Sequence, residues 1–235
     1  MSVVCAEEEC SYRDQPMEDP VMTLTVINHI TLDGVMQSPG SPDEDSRGGF
    51  THGGWAIRGS DPAMYAAMGP HMSKPSGGLL LGRRSYEQML SYWNTQHSPY
   101  RDALNNTAKY VVSRTPDTGL DWPNSTLVHG DIPGAVKELA RTTDLVIMGS
   151  GQLIRALLPY GLIDEFLLMI HPIVLGSGQR LFEQDGHVAA LRLTECAPTA
   201  TGVIIATYRP ADDAPHSATG APHSATGSAA HTEKR

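Results

Sequence analysis

The sequence predicts an α/β fold, because short apolar strands run through glycine turns into amphipathic helices. Two such units carry the prediction. In one, a strand at residues 79–81 meets Gly82, and a helix begins near Arg84. In the other, a strand at residues 145–148 meets a Gly-Ser-Gly turn, and a helix follows over residues 152–158. A helix that starts directly after such a turn leaves backbone N–H groups free for an anion such as phosphate.

The first part of the chain contributes one strand and one capped helix. Residues 22–30 are rich in β-branched side chains and are predicted to be the first strand. Asp61 stands at an N-cap position and Pro62 at the first helical position, which predicts a helix over residues 61–69.

The second part contributes further strands and one more helix. Strands are predicted at residues 109–112 and 127–128, and an amphipathic helix at residues 132–141. Residues 163–175 form a long strand region in which Pro172 indicates an edge position or a bend. Residues 191–196 and 202–208 are predicted to be a terminal antiparallel pair.

The composition excludes several classes of partner. The net charge is −9 and no basic run is present, which disfavours a nucleic-acid partner. No apolar stretch approaches the ~20 residues that a membrane-spanning helix needs, so no membrane partner is expected. The N-terminus is acidic and lacks the basic region of a secretory signal. We therefore expect a cytoplasmic protein.

The cysteines predict neither a metal site nor a disulfide framework. Cys5, Cys10 and Cys196 are odd in number and lack CxxC spacing, which argues against a structural zinc site.

Residues 1–20 are predicted to be a disordered arm, residues 21–209 a single domain, and residues 210–235 a disordered tail.

A long segment rich in glycine, serine, proline and aspartate covers residues 36–60. Such a loop in a compact domain is usually functional or disordered. Trp55 lies among glycines near its end, and two interpretations stay open. The segment is a flap that closes over the substrate, or Trp55 is an apolar plug that packs onto the core.

Asp33 follows the first predicted strand and also has two interpretations. Asp33-Gly34 is a strong turn signal, and in one interpretation the carboxylate forms a hydrogen bond with its own backbone. Alternatively, it lies at the mouth of a cleft and takes part in catalysis.

Three strand ends carry groups that suit an anion. Gly82, Arg83, Arg84 and Ser85 follow one strand, Ser113 and Arg114 follow the next, and Gly149, Ser150, Gly151 and Gln152 follow the third. Because ligands of open α/β sheets bind outside the carboxyl ends of the strands, we expect the three to line one edge. The alternatives are that the glycine turn is a mere connection and that the arginines are solvated or pair with Glu87.

A dinucleotide cofactor binds to groups of the kinds found at these strand ends. Its pyrophosphate suits a glycine turn at a helix start, and a ribose 2′-phosphate suits arginines and hydroxyl groups. The arginines favour NADPH over NADH, because selectivity for NADH normally comes from an acid at the ribose.

Several motifs in order resemble the dihydrofolate reductase-like superfamily. They are Leu-Asp-Gly at residues 32–34, Leu-Leu-Gly-Arg-Arg-Ser-Tyr-Glu at 80–87, Val-Val-Ser-Arg-Thr at 111–115, Met-Gly-Ser-Gly-Gln-Leu at 148–153, and Ile-Asp-Glu-Phe…Pro-Ile-Val-Leu-Gly-Ser-Gly at 163–178. The chain is most similar to the branch that includes the reductase domain of bacterial riboflavin biosynthesis. The resemblance covers residues 22–209.

The resemblance implies a central mixed, mostly parallel sheet flanked by helices, with NADPH along the strand ends. It implies that Gly82 to Ser85 hold phosphate groups, that Ser113 and Arg114 face the adenosine 2′-phosphate, and that Gly149 to Gln152 form the pyrophosphate loop. Asp33 matches the acid that faces the substrate cleft. The acid pattern that orients a pterin in true dihydrofolate reductases is absent, so folate reduction is not expected.

The expected activity is hydride transfer from NADPH to a small polar substrate that resembles a pyrimidine, a pterin or a phosphosugar. Asp33 or an ordered water would supply the proton. The alternatives are a non-catalytic nucleotide-binding sensor and an inactive relative of the same fold. The apolar run at residues 166–175, if exposed, would form a homodimer interface.

Overall fold

The computed structural model describes residues 22–183 and 186–211. The predicted N-terminal arm lies outside the described residues, and so does the predicted tail from residue 212 onward.

An eight-stranded sheet has the order β4-β3-β2-β5-β1-β6-β8-β7. The neighbouring strands from β4 to β6 pair in parallel, and β8 and β7 complete the sheet by antiparallel pairing. The predicted mixed, mostly parallel sheet is therefore confirmed. The strands are β1 (Leu24–Thr31), β2 (Gly77–Gly82), β3 (Ala108–Val112), β4 (Ser125–Val128), β5 (Asp144–Met148), β6 (Glu165–His171), β7 (Leu191–Pro198) and β8 (Ile204–Pro210).

Helices cover both faces of the sheet. One face carries α1 (Pro62–Met72), α2 (Arg83–Asn94) and α3 (Pro99–Asn106), whose apolar side chains pack in one core cluster. The other face carries α4 (Ile132–Leu139) and α5 (Gly151–Leu157), which pack in a second cluster.

The central strand β1 divides its side chains between the two clusters. Leu24 and Val26 belong to the cluster under α4 and α5, whereas Ile27 belongs to the cluster under α1 to α3. Successive residues of a strand point to opposite faces, so β1 contributes apolar side chains to both clusters. Each fully buried aliphatic side chain contributes about 1.5–3 kcal/mol through removal of apolar surface from water.

Helix starts follow the cap chemistry in the sequence. Asp61 Oδ1 accepts a hydrogen bond of 2.9 Å from Ala63 N at the start of α1, as predicted. Helix α3 is not among the predicted elements, although Ser98 and Pro99 repeat the same signal. Ser98 Oγ accepts a hydrogen bond of 3.2 Å from Arg101 N.

Of the two alternatives for the strand region at residues 163–175, the edge position is wrong and the bend is confirmed, since Pro172 lies at a bend. Strand β6 ends at His171, before Pro172, and it lies inside the sheet between β1 and β8. The proline therefore costs no ladder hydrogen bond. The apolar run at residues 166–175 is buried over Phe166 to Met169, so that part offers no surface for a homodimer.

No helix among residues 22–183 and 186–211 is both long enough and apolar enough to cross a membrane.

We expect Leu145→Ala to lower the free energy of unfolding by about 2–5 kcal/mol, because it removes a fully buried side chain from central strand β5 and leaves a cavity. Chemical denaturation measures this loss. Leu32→Ala is the matched control, since the Leu32 side chain is 62% exposed, and its expected effect is within about 0.5 kcal/mol. Equal losses in the two variants would contradict the assignment of β5 to the core.

Candidate active site

The carboxyl ends of β3, β2 and β5 lie side by side in the sheet. Ser113 follows β3, Gly82 ends β2, and Gly149 follows β5. The three strand ends that sequence analysis singles out are therefore neighbours on one edge.

A serine pair joins two of these strand ends. Ser150 Oγ accepts a hydrogen bond of 2.8 Å from Gly82 N and lies 2.8 Å from Ser85 Oγ, to which it donates. Gly149 and Ser150 both have left-handed backbone conformations, with φ of 66° and 59°. A side chain at Gly149 would be strained there, and its Cβ would lie 3.4 Å from Ser85 Oγ. The glycine turn and the start of α2 thus form one continuous surface.

The glycine turn presents backbone donors. Gly151 and Gln152 begin α5, and no acceptor among the described residues is bonded to their N–H groups. Asn28 of the neighbouring strand β1 holds the turn in place, because its Oδ1 accepts a hydrogen bond of 3.0 Å from Gly149 N. The Asn28 Nδ2 atom is buried and has no hydrogen-bond partner in the described part of the chain.

The three arginines of the edge differ in their contacts. Arg83 Nε lies 3.5 Å from Glu87 Oε1, as one alternative interpretation anticipates. Both side chains are about half exposed, so this pair contributes little to stability. Arg84 and Arg114 are exposed, and the described residues include no ion pair to either of them. Two guanidinium groups are therefore available at the edge.

Ser113 is buried and already has partners. Its Oγ accepts hydrogen bonds from Thr118 Oγ1 at 2.7 Å and from Thr115 N at 3.1 Å. These contacts shape the turn after β3 that carries Arg114 outward.

Asp33 is held by its neighbour Thr31 and by two backbone groups far away in the sequence. Its carboxylate accepts hydrogen bonds from Thr31 Oγ1 at 2.6 Å, Leu175 N at 3.1 Å and Gly176 N at 2.9 Å. The Thr31 hydroxyl, followed by the backbone N–H donors, lowers the pKa of Asp33 to about 2. A carboxylate that is ionised at neutral pH has no proton to deliver. The geometry favours the turn-forming interpretation, and a catalytic role for Asp33 stays a prediction.

A cavity of about 260 Å³ opens beside β1, on the face of the sheet that carries α1. Its walls come from β1, from α1 and from the long segment after β1. Apolar side chains of Ile57, Met64 and Met68 line it together with the ring of His29.

His29 faces a second histidine. His29 Nδ1 lies 2.9 Å from His171 Nε2, and the two strands that carry them are neighbours. Burial, followed by the repulsion of His171, lowers the pKa of His29 to about 4, and burial lowers the pKa of His171 as well. Both imidazoles are consequently neutral at physiological pH.

Trp55 packs against this pair and does not line the cavity. Its ring meets His171 edge-on with a centroid distance of 5.2 Å, and its Nε1 donates to Gln37 O at 2.7 Å. The structure therefore places Trp55 as a plug on the end of β6. The flap interpretation would require these contacts to break, and it stays a prediction.

His29 and His171 are not among the residues that sequence analysis singles out. They lie 142 positions apart, so no local spacing connects them. The available signal is a histidine near the carboxyl end of each of two mostly apolar or β-branched strands, 24–31 and 165–171.

The strand order, the edge and the cavity define a dihydrofolate reductase-like domain. The family model of the RibD C-terminal domain matches residues 22–205, and the chain belongs to that family.

Two proteins of Bacillus subtilis (strain 168) are similar in sequence, and both are described as uncharacterized. YyaP is 28% identical over 138 residues, which cover 55% of this chain and 72% of YyaP. YwjB is 29% identical over 117 residues, which cover 49% of this chain and 63% of YwjB, so the match spans less than two thirds of that protein.

Solved structures share the fold at low sequence identity. A putative riboflavin biosynthesis protein from Shewanella sp. PV-4 has a TM-score of 0.57 and 21% identity, covering 81% of this chain and 99% of that one. A pyrimidine reductase-like protein from Corynebacterium diphtheriae has a TM-score of 0.54 and 13% identity, covering 82% and 93%. Dihydrofolate reductase from Enterococcus faecalis, solved with NADP(H), has a TM-score of 0.53 and 15% identity, covering 81% and 97%.

The buried histidines predict a specific loss of stability in acid. The unfolded chain takes up a proton at His29 near pH 6.5, whereas the folded protein resists protonation until about pH 4. Stability therefore falls as the pH drops through this window, by up to about 3 kcal/mol for His29.

Denaturant titrations at pH 7 and pH 4.5 measure this dependence. In His29→Phe we expect a smaller loss between the two pH values. His187→Phe, at an exposed position, should keep the full dependence. An identical loss in all three proteins would contradict the burial of a neutral His29.

Proposed function

We propose that the protein is an NADPH-dependent reductase that transfers a hydride to a small polar substrate with a pyrimidine-, pterin- or phosphosugar-like structure. One observation carries the proposal. The carboxyl end of β5 carries the glycine turn, and β5 pairs directly with β1, the strand whose His29 lines the cavity. A nucleotide at the edge and a small substrate in the cavity would be neighbours.

The residues at the edge fit a dinucleotide with an additional phosphate. The free N–H groups of Gly151 and Gln152 and the hydroxyl of Ser85 suit a pyrophosphate, while Ser150 holds Ser85 in place. Arg84 and Arg114 are exposed cations with the planar donor geometry that suits a ribose phosphate.

NADPH, when bound, supplies a hydride from its nicotinamide ring. The chain supplies binding, orientation and exclusion of water. The apolar walls from Ile57, Met64 and Met68 would keep water from the reacting atoms, and His29 would orient the substrate. Because Asp33 is ionised and engaged, an ordered water is the simpler proton source of the two alternatives.

The name of the Shewanella protein and that of the Corynebacterium protein support this class of activity. The reductase of riboflavin biosynthesis acts on 5-amino-6-(5-phosphoribosylamino)uracil, and we propose a substrate of similar chemistry. The engaged carboxylate of Asp33 favours a second candidate, a nucleotide-binding sensor without catalysis.

A substrate panel separates the two candidates. The protein is mixed with NADPH and with pyrimidine or pterin compounds, and NADPH consumption is followed by absorbance. Turnover supports the reductase. Binding of NADPH without turnover on any compound supports the sensor.

The double variant Arg83→Ala/Arg84→Ala tests the cofactor assignment. We expect the Kd of NADPH to rise about 10- to 100-fold, because charge-assisted contacts to the 2′-phosphate contribute about 1.5–3 kcal/mol. The Kd of NADH should change much less. Nicotinamide fluorescence measures both constants, and Arg141→Ala, on an exposed arginine paired with Glu138, is the control. Equal weakening of the two cofactors would rule out the 2′-phosphate assignment.

Asp33→Asn tests the catalytic prediction against the structural one. If Asp33 is catalytic, turnover falls at least tenfold while the Kd of NADPH and the thermal midpoint stay close to wild type. If it is structural, the thermal midpoint falls, because an amide cannot replace a carboxylate that accepts from Thr31, Leu175 and Gly176. Turnover per folded molecule then stays unchanged, which would refute the catalytic role.

A further inference from the structure

Two histidines face each other beside the cavity, and the proposed reductase activity by itself explains neither their pairing nor a role for His171. His29 lines the cavity, and His171 lies behind it with 2% of its surface exposed. Their nitrogens, His29 Nδ1 and His171 Nε2, are 2.9 Å apart. At this distance one nitrogen carries the proton and the other accepts it.

His171 is held firmly in this position. A Cβ at Gly59 would lie 2.6 Å from His171 Nδ1, so the backbone of Gly59 fits directly against the imidazole. Trp55 meets the same ring edge-on, and Gln37 O fixes Trp55. The packing of Gly59 and Trp55 against His171 fixes the ring that sets the hydrogen bond to His29.

The cavity has few other polar side chains that are free to act. Ser60 Oγ and Tyr65 Oη lie 3.4 Å apart and bond to each other. Ile57, Met64 and Met68 are apolar. His29 Nε2 is therefore the side-chain atom in the cavity best suited to recognise a polar ring.

Two neutral imidazoles joined in this way have two arrangements. In the first, His29 Nδ1–H donates to His171 Nε2, and His29 Nε2 is an acceptor. In the second, His171 Nε2–H donates to His29 Nδ1, and His29 Nε2–H is a donor. Both rings carry the same tautomer in each arrangement, either Nδ1–H in both or Nε2–H in both.

We propose that His29 is the specificity-determining residue of the cavity and that His171 is its positioning residue, so that the pair offers an uncharged ligand ring either a donor or an acceptor. The change from one arrangement to the other conserves the number of protons on the pair. The shared proton crosses between the two rings, one proton leaves the outer nitrogen of one ring to water, and one proton is taken up at the outer nitrogen of the other. The role as a substrate determinant rests on the proposed reductase function, whereas the ligand preference concerns the cavity alone.

The pair favours neutral heterocycles over cations. A neutral ring with an acceptor nitrogen selects the arrangement with both Nε2–H, and a ring with an N–H donor selects both Nδ1–H. A cation can use only the acceptor form of His29, and no carboxylate from the described part of the chain lines the cavity to compensate for the burial of its charge.

Nitrogen NMR of the full chain, with ¹⁵N-labelled histidine, tests the proposal at pH 7.5. The ring-nitrogen shifts distinguish the two tautomers, and His29→Phe and His171→Phe assign the signals. We expect the same tautomer in both rings of the free protein. Different tautomers in the two rings would overturn the pairing.

Three small rings serve as probes. Pyrimidine has acceptor nitrogens only, pyrrole has a donor only, and benzene has neither. We expect saturating pyrimidine to move both histidines towards Nε2–H, pyrrole to move both towards Nδ1–H, and benzene to leave the tautomers unchanged. If pyrimidine and pyrrole leave the His29 signals at their free positions, His29 is not the recognising group.

Gly59→Ala provides a milder disturbance, since it displaces His171 without removing either imidazole. We expect the two rings to lose their common tautomer and the response to both probes to fall at least threefold. His187→Phe, at an exposed site, is the control and should behave as wild type. A wild-type response in Gly59→Ala would overturn the positioning role of His171.

An NADPH titration of the same samples separates this proposal from the proposed function. Loss of tautomer coupling with intact NADPH binding would refute the role of the pair alone. Tautomer coupling without NADPH binding would refute the reductase and leave the pair as the recognition element of the cavity. For any compound that the substrate panel identifies, His29→Phe should raise KM at least tenfold with a smaller change in kcat.

Discussion

The alternation of side chains along β1 is the constraint on which the site depends. Strand β1 lies between β5 and β6 and is covered on both faces of the sheet. Each of its side chains therefore packs on one face or the other. Asn28 points to the face of α5 and bonds to Gly149, while the next residue, His29, points into the cavity and meets His171. A shift of one residue in register would exchange these two tasks and destroy both halves of the site.

The segments after the strands are held by polar contacts across long sequence distances. Asp33 fixes residues 175–176, and Gln37 Oε1 accepts from Gln179 N at 2.9 Å. Trp55 is fixed to Gln37 in turn. These bonds give the long segment at residues 36–60 a defined conformation, so one wall of the cavity is part of the folded domain. A consequence is that the carboxylate of Asp33, which the sequence places at the mouth of the cleft, is occupied by structural hydrogen bonds.

Local chemistry explains which elements were predictable. The strand at residues 145–148, its glycine turn and the helix after it follow from apolar runs and glycine positions, and the structure confirms each of them. Asp61 was identifiable as a cap because capping involves residues two or three positions apart. Helix α3 carries the same signal at Ser98 and Pro99 and was predictable on the same grounds. The position of β6 was not, because Pro172 reveals where a strand ends and not which strands lie beside it.

The sequence by itself determined the class of fold and predicted which strand ends carry groups suited to an anion, because both depend on residues that are neighbours in the chain. Only the tertiary structure decided that Asp33 is committed to the turn at residues 175–176 and that His29 and His171 form a neutral pair. Those facts depend on burial and on contacts between residues more than 140 positions apart. Burial sets the pKa of an imidazole and distance sets its hydrogen bonds, and neither quantity exists until the strands have paired.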